Sequence, residues 1–577
     1  MKTHLRIPQV SEHSVKNQLW IATAVPVSYN YGSKPYTATL AVMASFKRGR
    51  VMRRLCAAVF VLLTVLSETT EAQFDNVGSI QFPTSATGEA QQHFLRGVSI
   101  LHSFGWKQAR EKFHAAQEID PNFALAYWGE SLAYNHPLVS QMDTTEPRKA
   151  LARLAPTRAE RLAKAPTDRE KGFLNAVEIL WGEDEHMARR VGYMEAMADL
   201  YEQYPEDPEV AAFYSLSMLG AVAATGDLSQ RLNVRAGSIA LELFKDNPNH
   251  PGAAHYTIHS FDNPLMAPLA LEAAYQFSKI APAVSHARHM PTHIFIQHGM
   301  WTRVSGNNQS AYDAAAELWQ PGDALGDGIH ALDWGQYGDL QRGDYEKARV
   351  WMTRLDDMVA MNGYSSGGAR GAAGIDRARN SVSLLKARYI VETEEWNILP
   401  ITAESRAHEL LATGLSAARM GDQDNLAAAE SALSKLAESG NNANKIMYKE
   451  VSALLHAGMG HGDFAISLMD EAVAIVETMA PPRGSASPVK PVYELYGELL
   501  LDLNRPGDAI EKFETSLTRM PLRPRSLLGL ARANAATENY ADAAEAYARL
   551  TEIWTGHDSF EAMQEAKEFL ETTDYQP

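Results

Sequence analysis

Four pairs of positions near the C-terminus share a single offset of 34 residues: Tyr493 with Leu527, Gly497 with Ala531, Ala509 with Ala543, and Phe513 with Tyr547. A fixed period of this length restricts the chain to a stack of two-helix units, each burying its apolar face against the next. The residue types fit that geometry. Gly497 and Ala509 are small enough for two helices to approach closely, and Phe513 fills the space between units. Pro521 ends the second helix, because it has no N–H to continue the ladder. The same grammar recurs at Gly97, Ala109, Phe113, Ala116 and Pro121. GDYEKARVWM from Gly343 and HGDFAISLMDEAV from His461 read as further second helices. Ala465 and Ala509 lie one period plus ten residues apart, and the Pro- and Gly-rich stretch 480–491 accounts for the excess as a loop. No stretch alternates with period two long enough to suggest a sheet.

This period is that of the tetratricopeptide repeat (TPR), and the expected fold class is all-α, a TPR-type α-solenoid of antiparallel helix pairs. A solenoid also explains how 577 residues fold without enlarging one core. Residues 52–72 carry the marks of a secretion signal. Arg53 and Arg54 precede an apolar run from Leu55 to Leu66, too short to span a bilayer comfortably, and Thr70 and Ala72 supply small residues before Gln73. A signal belongs at an N-terminus, so residues 1–51 are expected to be a mis-called, disordered extension, with the true start at Met52 or Met43. The expected location is periplasmic or secreted, with no membrane span in the mature chain. After the signal come a flexible lead-in at 73–90, an N-terminal TPR-like region with a histidine cluster at 91–320, middle helical repeats at 321–445, and C-terminal repeats at 446–577. The Gly-rich stretch 362–377 reads as a mobile loop or lid.

The net charge is −17, and because residues 1–72 hold 9 Lys/Arg against 3 Asp/Glu, the remainder carries −23. So acidic a remainder argues against nucleic acid as a partner, since phosphate backbones require clustered cations. The only cysteine, Cys56, lies inside the signal. Disulfides and thiolate metal ligands are thereby excluded from the mature chain, and any metal site must use His, Asp, Glu or backbone oxygen.

Seven of the 19 histidines fall between His250 and His298. His255 and His259 are four apart and share a helix face. His286 and His289 follow, and Pro291 starts a helix that carries His293. The predicted order is helix A, helix B over Ala267–Ile280, then a second helix A. In a TPR stack consecutive A helices are neighbours, so His255, His259 and His293 are expected to face one another, with His286 and His289 at the mouth. Neutral imidazoles converging in this way suit zinc, copper or iron. Asp262 is expected to orient a ligand histidine, and His102, Glu130 and His136 to complete the pocket if the superhelix curls back. The competing reading is packed or capped helix residues without a ligand. His408-Glu409-Leu410-Leu411-Ala412 lacks the second His of a protease zinc motif, and no Gly-x-Ser-x-Gly elbow occurs. Glu494 and Lys490 read as cap or surface residues.

AYWGESLAYNHPL, HYTIHSFDNP, HARHMPTHIFIQHGMW and PVKPVYELYGELLL resemble a family of exported bacterial TPR-containing proteins, over most of the chain after about residue 85. The resemblance implies the fold and export and supplies no chemistry. Tyr493 stands where that family has a His before Glu494, which weakens any role for Glu494 beside a histidine. Two functions follow. One is a scaffold that binds a protein or peptide in its concave groove and carries the metal site. The other is a metal-dependent enzyme, a hydrolase or oxygen-using oxidoreductase, acting on a small molecule with the same histidines.

Overall fold

A computed structural model of the chain describes the backbone at 27–29 and 36–38, then residues 74–573 apart from 75, 135, 139–142, 321–322, 324–325, 361–367 and 481. Two units separate at Ala72 and Gln73. In the first, Val27–Tyr29 pairs antiparallel with Tyr36–Ala38, placing Val27 opposite Ala38. The expected signal at 52–72 lies outside the described residues.

Every regular element described in the second unit is helical. The repeat grammar explains the packing. Phe113 on the helix Trp106–Ile119 is fully buried against Gly97 before it and Gly129 after it. A Cβ at Gly129 would fall 2.4 Å from the Phe113 ring, so glycine is what lets the ring seat between the helices. Phe513 sits in the same way between Gly497 and Gly529, with identical spacing, and a Cβ at Gly529 would fall 2.2 Å from its ring. Helix starts follow local chemistry. Pro208, Pro251, Pro291, Pro506 and Pro524 all stand in the first turn, where a missing N–H costs nothing. Thr157 and Thr167 form capping boxes with Glu160 and Glu170.

Three expectations need correction. The described residues of the lead-in expected at 73–90 are packed rather than loose: Phe74, Val77, Phe82 and Ala86 are buried, and Ser85 donates from N and Oγ to Glu170 at 2.8 Å. Its aromatics outweigh its Gly, Ser and Thr content. Most of the Gly-rich stretch is helical, since the helix Gly368–Thr393 begins within it; the remainder, to 367, is outside the described residues. The segment Ala267–Ile280 is a 3-10 turn at Ala267–Ala270 followed by an α-helix at Leu271–Ile280.

The superhelix curls far enough for distant repeats to touch. Trp301 Nε1 donates to the Leu522 carbonyl at 2.9 Å, and Trp554 Nε1 to the Gln341 carbonyl at 3.0 Å. The C-terminal repeats therefore rest on the helices Trp301–Leu318 and Gly326–Gln341. The loop 480–491 is more than a spacer. Ala486 is buried in the N-terminal core, Pro482 accepts from Gln297 Nε2 at 3.1 Å, and Gly484 lies under the Trp334 ring. No helix among the described residues is long and apolar enough to cross a membrane.

Candidate metal centre

The helix Pro251–Ser260 is set by its cap. His250 Nδ1 accepts from the Ala253 N–H at 3.2 Å, and Pro251 opens the first turn. His255 and His259 then point from one face, their ring centroids 4.7 Å apart. The short helix Ser285–His289 brings His286 to meet them, with His255 Nε2 and His286 Nε2 3.1 Å apart. A ligand nitrogen from each of His255, His259 and His286 lies within 4.8 Å of the others. His289, His293 and His330 form a second set on the same criterion. His289 Nε2 and His293 Nε2 are 3.2 Å apart, and the His330 ring lies 4.2 Å from that of His289. The two sets adjoin: the His259 and His293 rings are 5.7 Å apart, and those of His286 and His289 6.1 Å.

Three of the rings are aimed by a partner on the other nitrogen. His255 Nδ1 donates to the His102 carbonyl at 2.6 Å. That carbonyl ends the helix Gly88–His102, where the last C=O groups have no partner within the helix. His293 Nδ1 donates to Asp262 Oδ2 at 2.6 Å, and His289 Nδ1 to Asn308 Oδ1 at 2.7 Å. These contacts fix the tautomer and leave Nε2 bare on three rings, the arrangement that raises ligand basicity at metal sites. His259 Nε2 is buried and has no hydrogen-bond partner.

Aromatic rings wall the site. Phe104 lies 4.4 Å from the His255 ring and 5.1 Å from that of His286. Its φ of 59° is left-handed, as at Asn504 and Glu538 in the corresponding turns of the C-terminal repeats. Trp334, one turn after His330, covers His293 at 4.4 Å and His289 at 5.0 Å. Burial pushes His255 down to about 3, only partly countered by its bond to the His102 carbonyl. Burial, then repulsion from neighbouring imidazoles, holds His259, His286 and His289 well below the usual histidine range. These four rings are therefore neutral at neutral pH, the protonation state a metal ligand needs.

The sequence placed His255, His259, His286, His289 and His293 here, and all five are here, but in a different grouping. His286 joins His255 and His259. His289 is 2% exposed and pairs with His293, so it does not stand at a mouth. Asp262 orients His293 as expected. His136 lies at the edge, its ring 6.3 Å from that of His286. The His102 side chain points elsewhere. With His250 it flanks the buried Glu209, at 2.8 and 3.2 Å, and it meets the Tyr256 hydroxyl at 2.7 Å. Burial alone would raise Glu209, but the two imidazoles outweigh that and hold it down to about 2. Gly252 makes this approach possible, since a Cβ there would fall 2.6 Å from His102 Nδ1. The sequence reading missed His330. Its only signal was Trp334 four residues on, the same face of one helix.

Glu130 is not part of the centre. It is buried among His114 Nε2 at 2.8 Å, Gln117 Nε2 at 2.7 Å, the Tyr134 hydroxyl at 2.9 Å, and Arg153. Burial pushes Glu130 up, yet the bonds from His114, Arg153 and Gln117 prevail and bring it down to about 2. A depressed carboxylate contributes stability that is present above the unfolded value of 4.5 and is lost as pH falls toward about 2. Glu130→Gln is therefore expected to be less stable than wild type at neutral pH, with the gap closing through that window. Urea midpoints at a series of pH values measure it, and a gap independent of pH would contradict the assignment.

A family pattern for the tetratricopeptide repeat matches residues 497–558. The chain carries tetratricopeptide repeats. Solved structures match the chain at low identity and low TM-score. Cut9, from the APC/C hetero-tetramer with Hcn1, is 11% identical over 89% of this chain and 82% of that one, with a TM-score of 0.32. Yeast Tom70 is 13% identical over 84% and 96%, with a TM-score of 0.29. The TPR domain of P58(IPK) is 14% identical over 85% and 100%, with a TM-score of 0.20. At these scores the likeness carries no functional argument. No curated protein matches the TPR chain by sequence.

Proposed function

We propose that this TPR protein is an exported scaffold that binds a late first-row transition metal at its histidine cluster. One observation carries the reading: imidazoles from four separate helices converge, and on three of them, His255, His289 and His293, Nδ1 is already committed to an oxygen while Nε2 faces a neighbouring imidazole. Packed core histidines satisfy both nitrogens. Here His289 Nε2 and His293 Nε2 meet each other at 3.2 Å, close enough for one cation to take both as ligands. The N-terminal signal pattern supports export, and repeats of this kind support a role in holding a protein or peptide. Three ligands per set leave a coordination position open, which favours the alternative of a metal-dependent enzyme acting on a small molecule.

Elemental analysis of protein purified without an affinity tag tests the reading. Zinc, copper or iron is expected to copurify with the wild type. Loss of His255 and His259 together, as His255→Ala with His259→Ala, is expected to lower that content while circular dichroism is retained. Wild-type protein that stays metal-free after incubation with each ion and gel filtration would end the proposal.

A further inference from the structure

We infer that the six histidines hold two copper ions side by side, as a paired centre that binds dioxygen between them. This rests on the metal-site reading above and goes beyond it in the number of ions, their identity and their ligand.

The count follows from geometry. Two nitrogens on one ion cannot lie farther apart than twice the metal–nitrogen length, or roughly 4.2 Å. The ligand atoms of each triad lie within 4.8 Å of one another, so a small inward shift brings each set onto one ion, and the two triads share no residue. A tetrahedral ion with those bond lengths holds adjacent nitrogens about 3.3 Å apart. His255 Nε2 to His286 Nε2, at 3.1 Å, and His289 Nε2 to His293 Nε2, at 3.2 Å, each have that spacing. So the chain contains two ready-made ligand pairs, one in each triad. His259 joins the first and His330 the second. Ring spacings between the triads, 5.7 and 6.1 Å, fall within the range of spacings inside them, which extends to 6.4 Å for His293 and His330. Two ions would therefore be close enough to share a small ligand, as ions about 3.5–4 Å apart do in two-metal sites.

Copper follows from charge. All six ligands are neutral nitrogen donors, and neither triad includes a carboxylate or thiolate. Asp262 stands behind a ligand ring, accepting from His293 Nδ1–H. Two divalent ions would bring four positive charges into a site walled by Phe104, Phe277 and Trp334, against which the Asp262 carboxylate behind His293 sets one negative charge. Two copper(I) ions bring half that charge, and imidazole suits copper in a low-coordinate site. The open position on each ion then has a fitting occupant. Each copper(I) gives up one electron, and dioxygen takes both. The resulting dianion is held between two copper(II) ions and balances part of their charge. No proton or other reductant enters, and release of dioxygen returns both electrons.

The full chain, stripped with chelator, is to be titrated anaerobically with copper(I) in competition with a chromogenic copper(I) chelator, then exposed to dioxygen in an electrode cell. Two copper ions per chain and one dioxygen per copper pair are expected. The oxygenated form should show far less paramagnetic copper than the total bound, because paired copper(II) ions couple. His330→Ala and His259→Ala remove one ligand from different triads. Each is expected to bind one ion tightly and to lose dioxygen uptake, with helical content unchanged. One ion in the wild type would overturn the pairing and leave the metal site standing. Two ions without dioxygen uptake would overturn the assigned ligand. Failure to bind copper, zinc or iron at all would sink both this inference and the reading beneath it.

Discussion

Replacing Arg523 by alanine is expected to lower the stability of the folded chain by about 3–5 kcal/mol, the cost of leaving a buried charge unpaired. Arg523 is wholly buried, as is Glu494. The guanidinium grips Glu494 through Nε at 2.7 Å and Nη2 at 3.0 Å, reaches Glu392 at 2.8 Å, and donates from Nη1 to the Tyr337 hydroxyl at 3.1 Å. Lys490 Nζ and the Ser526 hydroxyl complete the shell around Glu494, at 3.0 and 2.6 Å. The arginine and lysine draw Glu494 far below the usual carboxylate range, against the upward push of burial. Without Arg523, Glu392 and Glu494 remain in the interior with too little positive charge near them. Denaturant unfolding followed by far-ultraviolet circular dichroism measures the loss. A change under about 1 kcal/mol would mean that the site behaves as a solvated surface pair. The effect should reach the histidine centre too. Tyr337 belongs to the helix Gly326–Gln341, which also carries His330 and Trp334. Loosening that helix is expected to weaken metal retention at the triad containing His330 more than at the other.

The second large effect concerns Asp262. Its carboxylate receives His293 Nδ1–H and fixes which nitrogen of that ring stays bare. Asp262→Asn keeps the shape and an acceptor oxygen but removes the charge, so the imidazole becomes a poorer donor. Loss of such an outer partner typically lowers metal affinity by about 10–100-fold. Competition titration with a chelator should show that drop with little change in thermal midpoint, because Asp262 contacts few other groups: Gln297 Nε2 approaches its other oxygen at 3.4 Å. Unchanged affinity would show that His293 is not a ligand. Unchanged affinity together with a large fall in stability would recast Asp262 as a structural residue.

The helical repeat was legible because it rests on local rules. Gly97, Gly129, Gly497 and Gly529 are small where an aromatic must seat, and Phe113 and Phe513 supply that aromatic at a constant spacing. Prolines at helix starts and threonine capping boxes act over three or four residues, well within what a sequence displays. The His255–His259 pair was legible for the same reason, since one helix turn places them together.

What joins the centre across the fold was decided by tertiary structure alone. His330 arrives from a helix outside the histidine-rich segment, and Asn308 from another. The loop 480–491 crosses from the C-terminal repeats to lie beside Gln297 and Trp334. Glu494, which reads as a surface residue, is buried because Arg523 reaches it from the next repeat. Glu130 looked suited to the metal pocket, and Arg153 and His114 claim it instead. The physical reason is the same in each case. A helix period fixes which residues share a face, while the small rotation from each repeat to the next accumulates along the stack and determines which distant faces meet.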